Sequence, residues 1–126
     1  MKYKNKNFNS QEKAKEDKSF APLLTREGNN VIRDTYILIS PEDTDSGKLK
    51  AGFTAVYPGC STSGHEHSDY EEIYFITKGK GIAQIDKEKF KIEAGDTFYV
   101  PFALFHKVNN PNNENLEYFW VLHKKN

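Results

Sequence analysis

Short runs in which apolar and polar residues alternate fill the chain from residue 31 onward, and turn-forming residues separate them. Alternation with a period of two is typical of β-strands that bury one face. In residues 89–93, Phe90 and Ile92 alternate with charged neighbours, so only one side of that segment is apolar. The pattern predicts strands over residues 31–40, 49–57, 71–77, 82–86, 89–93, 97–100, 104–108 and 116–123.

The number and spacing of these segments predict the fold class. Short strands that follow one another at intervals of ~8–12 residues, with no convincing core helix among them, are typical of β-sandwiches and barrels. Residues 1–20 differ, because they carry six lysines and three acidic residues and no apolar helical face. We expect a flexible charged tail over residues 1–20 and a single all-β domain over residues 21–126.

Charge and hydropathy limit the location and the partners. The 126 residues carry 18 basic and 18 acidic side chains, and binding to nucleic acid or to an anionic membrane would need a basic surplus. No apolar run approaches the roughly 18 residues of a membrane span, and no apolar signal-peptide core is present. Cys60 is the only cysteine, so it has no partner for an internal disulfide. We therefore expect a cytoplasmic protein in which Cys60 is a small buried group.

Three of the four histidines have an informative spacing. His65 and His67 are two residues apart, so an extended segment presents both imidazoles on one face. Glu72 begins the next strand, and His106 lies some forty residues further on. Three imidazoles and a carboxylate suit a divalent transition metal (Fe, Mn, Ni, Co or Zn) and contain too much nitrogen for Ca²⁺ or Mg²⁺. Surface histidines on a strand are the alternative interpretation of the His-x-His pair.

Glycines and a proline stand at fixed distances from these candidate ligands. The first motif is Gly59, five residues, His65-Glu66-His67, four residues, Glu72, six residues, Gly79. The second is Gly95, five residues, Pro101, four residues, His106, three residues, Asn110. In both motifs, and in the fifteen residues between Gly79 and Gly95, the chain resembles a small single-domain cupin over roughly residues 50–122.

The resemblance implies a double-stranded β-helix, or jelly roll, that holds one divalent transition metal through His65, His67, Glu72 and His106. Glu71 is the rival carboxylate, but the six-residue gap to Gly79 selects Glu72. His123 lies beyond the second motif, where a surface position is expected. Ala103 departs from the pattern, because the second motif has glycine at this position; the departure affects the loop geometry more than the ligands.

Four protein ligands leave about two positions open on a six-coordinate ion, which is typical of catalytic and ligand-binding sites. Alternation places Tyr74 on the same face as Glu72, so a phenol with a pKa lowered by the cation is our candidate catalytic group. A packing role is the alternative. The same reasoning directs Phe98, Val100 and Phe105, and Tyr118, Trp120 and Leu122, towards the interior.

Two features bear on ligands and partners. Arg26 and Arg33 are the only arginines; a pocket arginine would indicate a carboxylate substrate, but we expect both on the surface. Ile73 and Phe75 fall on the outer face of their strand and need cover. We therefore expect a homodimer, to which residues 20–24 can contribute.

Three functions remain open. The first is a metal-dependent enzyme acting on a small polar metabolite that carries a carboxylate or hydroxyl group; the motifs have some likeness to small cupin lyases, including dimethylsulfoniopropionate lyases, and also to cupin dioxygenases and sugar isomerases. The second is a metal-containing module that binds or senses a sugar or an acid without turnover. The third, a storage or structural cupin, is disfavoured by the size of the chain.

Overall fold

Residues 33–64, 66 and 68–126 are described by the computed structural model, and within them the chain is almost entirely β-structure. Eight strands run in chain order, with one 3₁₀ turn at Pro41–Asp43 between the first two. They are β1 (Arg33–Ile39), β2 (Leu49–Val56), β3 (Tyr70–Lys78), β4 (Lys80–Ile85), β5 (Glu88–Glu93), β6 (Thr97–Val100), β7 (His106–Asn109) and β8 (Leu116–Lys124). The predicted all-β class is confirmed.

The strands form two antiparallel sheets. The larger has the order β1-β2-β8-β3-β6, and the smaller has the order β5-β4-β7. Strands that are distant in the chain are neighbours in the larger sheet, as in a jelly roll. Val56 and Ile76 of the larger sheet belong to the same buried cluster as Val108 of the smaller one, so the core lies between the sheets.

Alternating burial along β3 and β8 shows which side chains the barrel encloses. Glu72, Tyr74 and Ile76 are buried, whereas Ile73 and Phe75 are 49% and 43% exposed. Three further side chains predicted to point inward are also buried: Tyr118, Trp120 and Leu122. The predicted inner and outer faces of β3 are thus confirmed, and the inner face carries the candidate ligand Glu72.

Two residues of the sequence motifs have structural roles. Gly79 joins β3 to β4 with a φ of 80°, and a Cβ atom there would lie 2.3 Å from the carbonyl oxygen of Asn115, so only glycine fits. Asn110 is completely buried, and its Nδ2 donates to the carbonyls of Val56 at 2.9 Å and Glu114 at 2.8 Å. Both residues hold chain connections in place at the end of the barrel where β2 ends and β8 begins.

A few sequence-based expectations need correction or fall outside the described residues. The seventh strand begins at His106 rather than at residue 104, because the backbone turns before it and Ala103 has a φ of 66°. The β4–β5 turn is centred on Asp86, with a φ of 54°, and β5 begins at Glu88. The tail over 1–20, the segment 20–24 and Arg26 lie outside the described residues.

Two further observations concern the expected location. Cys60 is buried, as predicted, and its thiol donates to the carbonyl of Pro58 at 3.4 Å. No helix in the part of the chain that the structure describes is long and apolar enough to cross a membrane.

Candidate metal centre

Glu72 and His106 reach the same point from opposite sheets. Glu72 points inward from β3 and His106 from β7, and Glu72 Oε2 lies 2.7 Å from His106 Nε2. Their side chains are only 5% and 4% exposed. A buried carboxylate beside a buried imidazole is costly to desolvate, so such pairs are kept where the charges serve a purpose.

The orientation of the His106 ring suits a metal ligand. Its Nδ1 lies 3.1 Å from the carbonyl oxygen of Leu104. A carbonyl can only accept, so Nδ1 carries the proton and donates. In the neutral imidazole this leaves the Nε2 lone pair directed towards Glu72. A backbone carbonyl that fixes the tautomer in this way is a common partner of metal-bound histidine.

The protonation of His106 depends on two opposing effects. Burial, the largest effect, lowers the pKa of the imidazole, but the hydrogen bond and negative charge of Glu72 raise it, as does the carbonyl of Leu104. The combined effect is a raised pKa. A divalent metal ion held by Glu72 and His106 would compete with the Nε2 proton of the imidazole, since ligands must be deprotonated to bind. The donor set therefore fits a divalent cation.

His65 and His67 lie outside the described residues, but the chain that precedes them is fixed beside β7. Thr62 N donates to the carbonyl of Val108 at 2.9 Å, and Thr62 Oγ1 accepts from Val108 N at 3.0 Å. Ser61 and Asn109 form an antiparallel bridge. This pairing carries the chain towards the first residues of β7, and a Cβ atom on Gly64 would lie 2.7 Å from the Phe105 ring.

The described residues alone contain no group of three side chains placed to hold a metal ion. Of the four ligands that the sequence predicted, the structure brings Glu72 and His106 together. The complete set remains a prediction, because His65 and His67 are not among the described residues.

The loop before His106 shows how the chain accommodates its departure from the second motif. Ala103 stands where the motif has glycine, and its φ of 66° lies in the left-handed region that glycine favours. The loop thus adopts the backbone conformation that the motif's glycine would allow, and Ala103 bears the strain.

Tyr74 lies next to this pair, with its ring in an aromatic wall. The ring stacks on Phe98 at 4.6 Å between centroids and meets His106 edge-on at 6.1 Å. Burial raises the pKa of Tyr74 well above its usual range, and the charge of Glu72 and a hydrogen bond with its carboxylate add to this. The sequence predicted a lowered pKa for Tyr74, but its protein surroundings raise that pKa and so favour a protonated phenol.

Arg33 is buried, contrary to the expectation from the sequence. A surface position was expected, but Arg33 is only 8% exposed at the start of β1. Its partner across the β1–β2 pairing is Val56, a fully buried core residue. The expectation was wrong because apolar residues lie on both faces of β1, and only the pairing with β2 decides which face is enclosed.

The second carboxylate–imidazole pair lies outside the barrel. His123 Nδ1 is 3.0 Å from Glu71 Oε2, and the Tyr99 hydroxyl donates to Glu71 Oε1 at 2.8 Å. His123 is exposed, as expected. The hydrogen bonds from His123 and Tyr99 lower the pKa of Glu71. Because both partners are exposed on the outer face, Glu71 faces away from the interior site.

The fold and the motifs have a counterpart in a known family. Residues 52–122, more than half of the chain, match the Cupin domain family. The chain therefore belongs to the cupin family, and the resemblance stated from its two motifs is confirmed. Proteins of this family commonly bind a metal.

Two known proteins and a solved structure are similar to this chain. An uncharacterized protein of Methanocaldococcus jannaschii is 36% identical over 92 residues, which are 73% of this chain and 70% of that protein. An oxalate-binding protein of Thermotoga maritima is 32% identical over 65 residues, about half of each chain (52% and 54%). A crystal structure described as a predicted oxalate decarboxylase of Thermotoga maritima has a TM-score of 0.69 and 27% identity, and covers 73% of this chain and 80% of that one.

Proposed function

We propose that this cupin binds one divalent transition metal through His65, His67, Glu72 and His106, and that a small carboxylate-bearing metabolite binds beside it and is converted by lyase-type chemistry. The observation that carries the proposal is the 2.7 Å contact between the buried side chains of Glu72 and His106. Fe, Mn, Ni, Co and Zn all suit the donor set. When bound, such an ion supplies a Lewis acid that polarises a carboxylate or carbonyl group.

A carboxylate is the favoured ligand for two reasons. One relative is named for oxalate binding, and a structural neighbour is described as a predicted oxalate decarboxylase. In addition, the buried guanidinium of Arg33 supplies a positive charge inside the barrel. Oxalate is therefore the first substrate to test.

Tyr74 is the proton-transfer group in this proposal. When oxalate loses carbon dioxide, the carbon–carbon bond breaks and the remaining carbon takes up a proton to become formate. The buried phenol next to Glu72 holds a proton at its hydroxyl oxygen, and its ring stacks on Phe98. Tyr74 thus acts as a proton donor, whereas the sequence predicted a phenol with a lowered pKa.

A second function, binding without turnover, is supported by the Thermotoga maritima relative that is named an oxalate-binding protein. The two functions share the metal and the ligand but differ in product. Incubation of metal-loaded protein with oxalate, followed by measurement of formate and carbon dioxide, separates them. Product in stoichiometric excess over protein supports the enzyme. Saturable binding without product supports the binding module.

The metal is tested independently of the ligand. His67→Ala should lose most of the metal while it keeps an all-β circular-dichroism spectrum, and His123→Ala, which changes an exposed histidine, should keep the metal. Because an ion that binds only the folded state stabilises it, His67→Ala should also lose the rise in melting temperature that added metal gives the unmodified protein. Full metal content in His67→Ala would contradict the ligand assignment.

We further propose that two copies pair through the outer face of the larger sheet, in a cytoplasmic homodimer with no nucleic-acid or membrane partner. Four exposed apolar side chains lie on neighbouring strands of this face: Ile73, Phe75, Tyr99 and Phe119. Light scattering should give about twice the chain mass of 14.5 kDa. Phe75→Lys should reduce it to the monomer mass. A monomeric unmodified protein would contradict the dimer.

A further inference from the structure

We propose that Arg33 is a specificity-determining residue that binds the second anionic group of a small dicarboxylate whose first carboxylate occupies the metal site. This inference rests on the proposed function and narrows its substrate class. Neither cupin motif contains Arg33, since both lie C-terminal to it.

The position of Arg33 in the sheet directs its side chain inward. Arg33 pairs with Val56 on β2, and Val56 pairs in turn with Leu116 on β8. Val56 and Leu116 are both fully buried in the core. Side chains that are opposite one another in neighbouring strands share a face of the sheet, so Arg33 lies on the face that encloses the interior.

Hydroxyl groups then fix the guanidinium. Arg33 Nε donates to Thr35 Oγ1 at 3.3 Å, and Thr35 Oγ1 lies 3.2 Å from Thr54 Oγ1. Thr54 Oγ1 also accepts from Trp120 Nε1 at 2.9 Å. Because Nε is engaged by Thr35, the opposite end of the planar group, with its two terminal nitrogens, is directed away from Thr35. That end of a guanidinium matches a carboxylate in a bidentate manner.

Polar side chains lie between the strand that carries Arg33 and the strand that carries Glu72. Thr54 and Tyr118 are paired across β2 and β8, in the same row as Thr35. The ring of Tyr118 lies 5.1 Å from that of Tyr74, and Tyr74 is buried two residues from Glu72 on the inner face of β3. The positive charge of Arg33 lowers the pKa of Tyr118 against the larger raising effect of burial, as expected for a cation close to it.

The chemistry of this arrangement selects for the charge of the ligand. A buried cation interacts with an anion more strongly than it would in water, because the local dielectric constant is low. A metal at Glu72 and His106 attracts one carboxylate, and a guanidinium further along the interior attracts another. Monocarboxylates can satisfy only one of the two.

The test uses metal-loaded protein and a series of probes: oxalate, malonate, succinate and glutarate, with acetate as the monocarboxylate. Titration calorimetry should show that at least one dicarboxylate binds the unmodified protein more tightly than acetate. Arg33→Met should weaken that dicarboxylate by about 10- to 100-fold, the range of a charge-assisted hydrogen-bonded contact. Its metal content should stay within about twofold of the unmodified protein, and its affinity for acetate should fall by a smaller factor than its affinity for the dicarboxylate, since acetate has no second anionic group.

Three further variants make the result specific. Arg33→Lys keeps the charge without the planar fork, so it should lose less than Arg33→Met. Thr35→Val removes the hydroxyl that holds Nε, and should shift dicarboxylate affinity in the same direction even if Arg33→Met fails to fold. Lys91→Met is the control. Lys91 is an exposed cation on β5 of the smaller sheet, so its removal should leave every affinity unchanged.

Equal losses for acetate and dicarboxylates in Arg33→Met, or no loss for any dicarboxylate, would overturn the assignment. So would a loss in Lys91→Met that equals the loss in Arg33→Met. Failure of the proposed metal site is recognised separately, because elemental analysis would then find no metal in the unmodified protein. In that case the same titrations of the metal-free protein still show whether Arg33 binds these anions.

Discussion

Two carboxylate–imidazole pairs lie on opposite faces of strand β3 and start from adjacent residues. Glu72 meets His106 at 2.7 Å inside the barrel, and Glu71 meets His123 at 3.0 Å outside it. The inner pair is almost completely buried, whereas the imidazole of the outer pair is half exposed. Water can compete for the outer pair but not for the inner one. The pairs therefore have similar chemistry, and burial alone decides which of them can form an interior metal site.

The largest difference between the faces should appear in metal affinity. We expect Glu72→Gln to weaken binding of Mn²⁺ or Zn²⁺ by more than about 100-fold, because even the outer partners of metal ligands contribute 10- to 100-fold. Glu71→Gln, one residue away, should leave the affinity unchanged. Competition against a chelating dye measures both variants. Equal effects in the two variants would show that β3 does not separate the carboxylates as described.

The second largest difference should appear between the tyrosines of the two faces, in their effect on the turnover of the acid that the protein converts. Tyr74→Phe removes the buried proton donor beside Glu72 and should lower kcat by ~10²–10⁴-fold with little change in binding. Tyr99→Phe is the matched control, because Tyr99 donates to Glu71 on the outer face. Unchanged turnover in Tyr74→Phe would assign Tyr74 to packing alone.

The inner and outer faces of β3 should also differ in how much their isoleucines contribute to the free energy of unfolding. Ile76 is fully buried and Ile73 is 49% exposed, two inward and outward isoleucines of one strand. Ile76→Ala should lower the free energy of unfolding by about 2–5 kcal/mol, because it leaves a cavity in the core. Ile73→Ala should change it by less than about 0.5 kcal/mol when measured on the monomeric Phe75→Lys background. Urea unfolding followed by tryptophan fluorescence measures both; similar losses would contradict the assignment of the faces.

The smallest effect concerns the loop that precedes His106. Ala103 has a φ of 66°, a conformation that costs an L-residue more than it costs glycine. Ala103→Gly should stabilise the protein by about 0.5–1 kcal/mol, after the larger entropy of glycine in the unfolded chain is allowed for. Ala94→Gly is the matched control in the same urea unfolding experiment, because Ala94 is exposed and has no positive φ; that variant should not be stabilised. Destabilisation by Ala103→Gly would contradict a strained loop.

Much of the fold followed from alternation, because a strand with one apolar face can be oriented without knowledge of its neighbours. The inward direction of Glu72, Tyr74 and Ile76 was predictable in this way. The resemblance of the two motifs to those of cupins likewise implied that Glu72 and His106 share one site, and the structure places their side chains in contact.

The remaining features depend on strand pairing, which one segment cannot reveal. In β1, Ile37 and Leu38 are adjacent apolar residues, so the pattern does not indicate which face is enclosed. Pairing with β2 resolves this and places Arg33 opposite Val56. The raised pKa of Tyr74 was missed for a similar reason, because it arises from burial against residues of other strands.

The most direct test of the central claim is elemental analysis of three proteins purified without a metal-affinity column. A metal site built on Glu72 and His106 predicts one transition-metal ion per chain in the unmodified protein and in His123→Ala, and almost none in His106→Ala. His106 is the buried imidazole beside Glu72, whereas His123 is the exposed imidazole beside Glu71. Full metal content in His106→Ala, or an unmodified protein that takes up none of these metals when they are supplied, would contradict it.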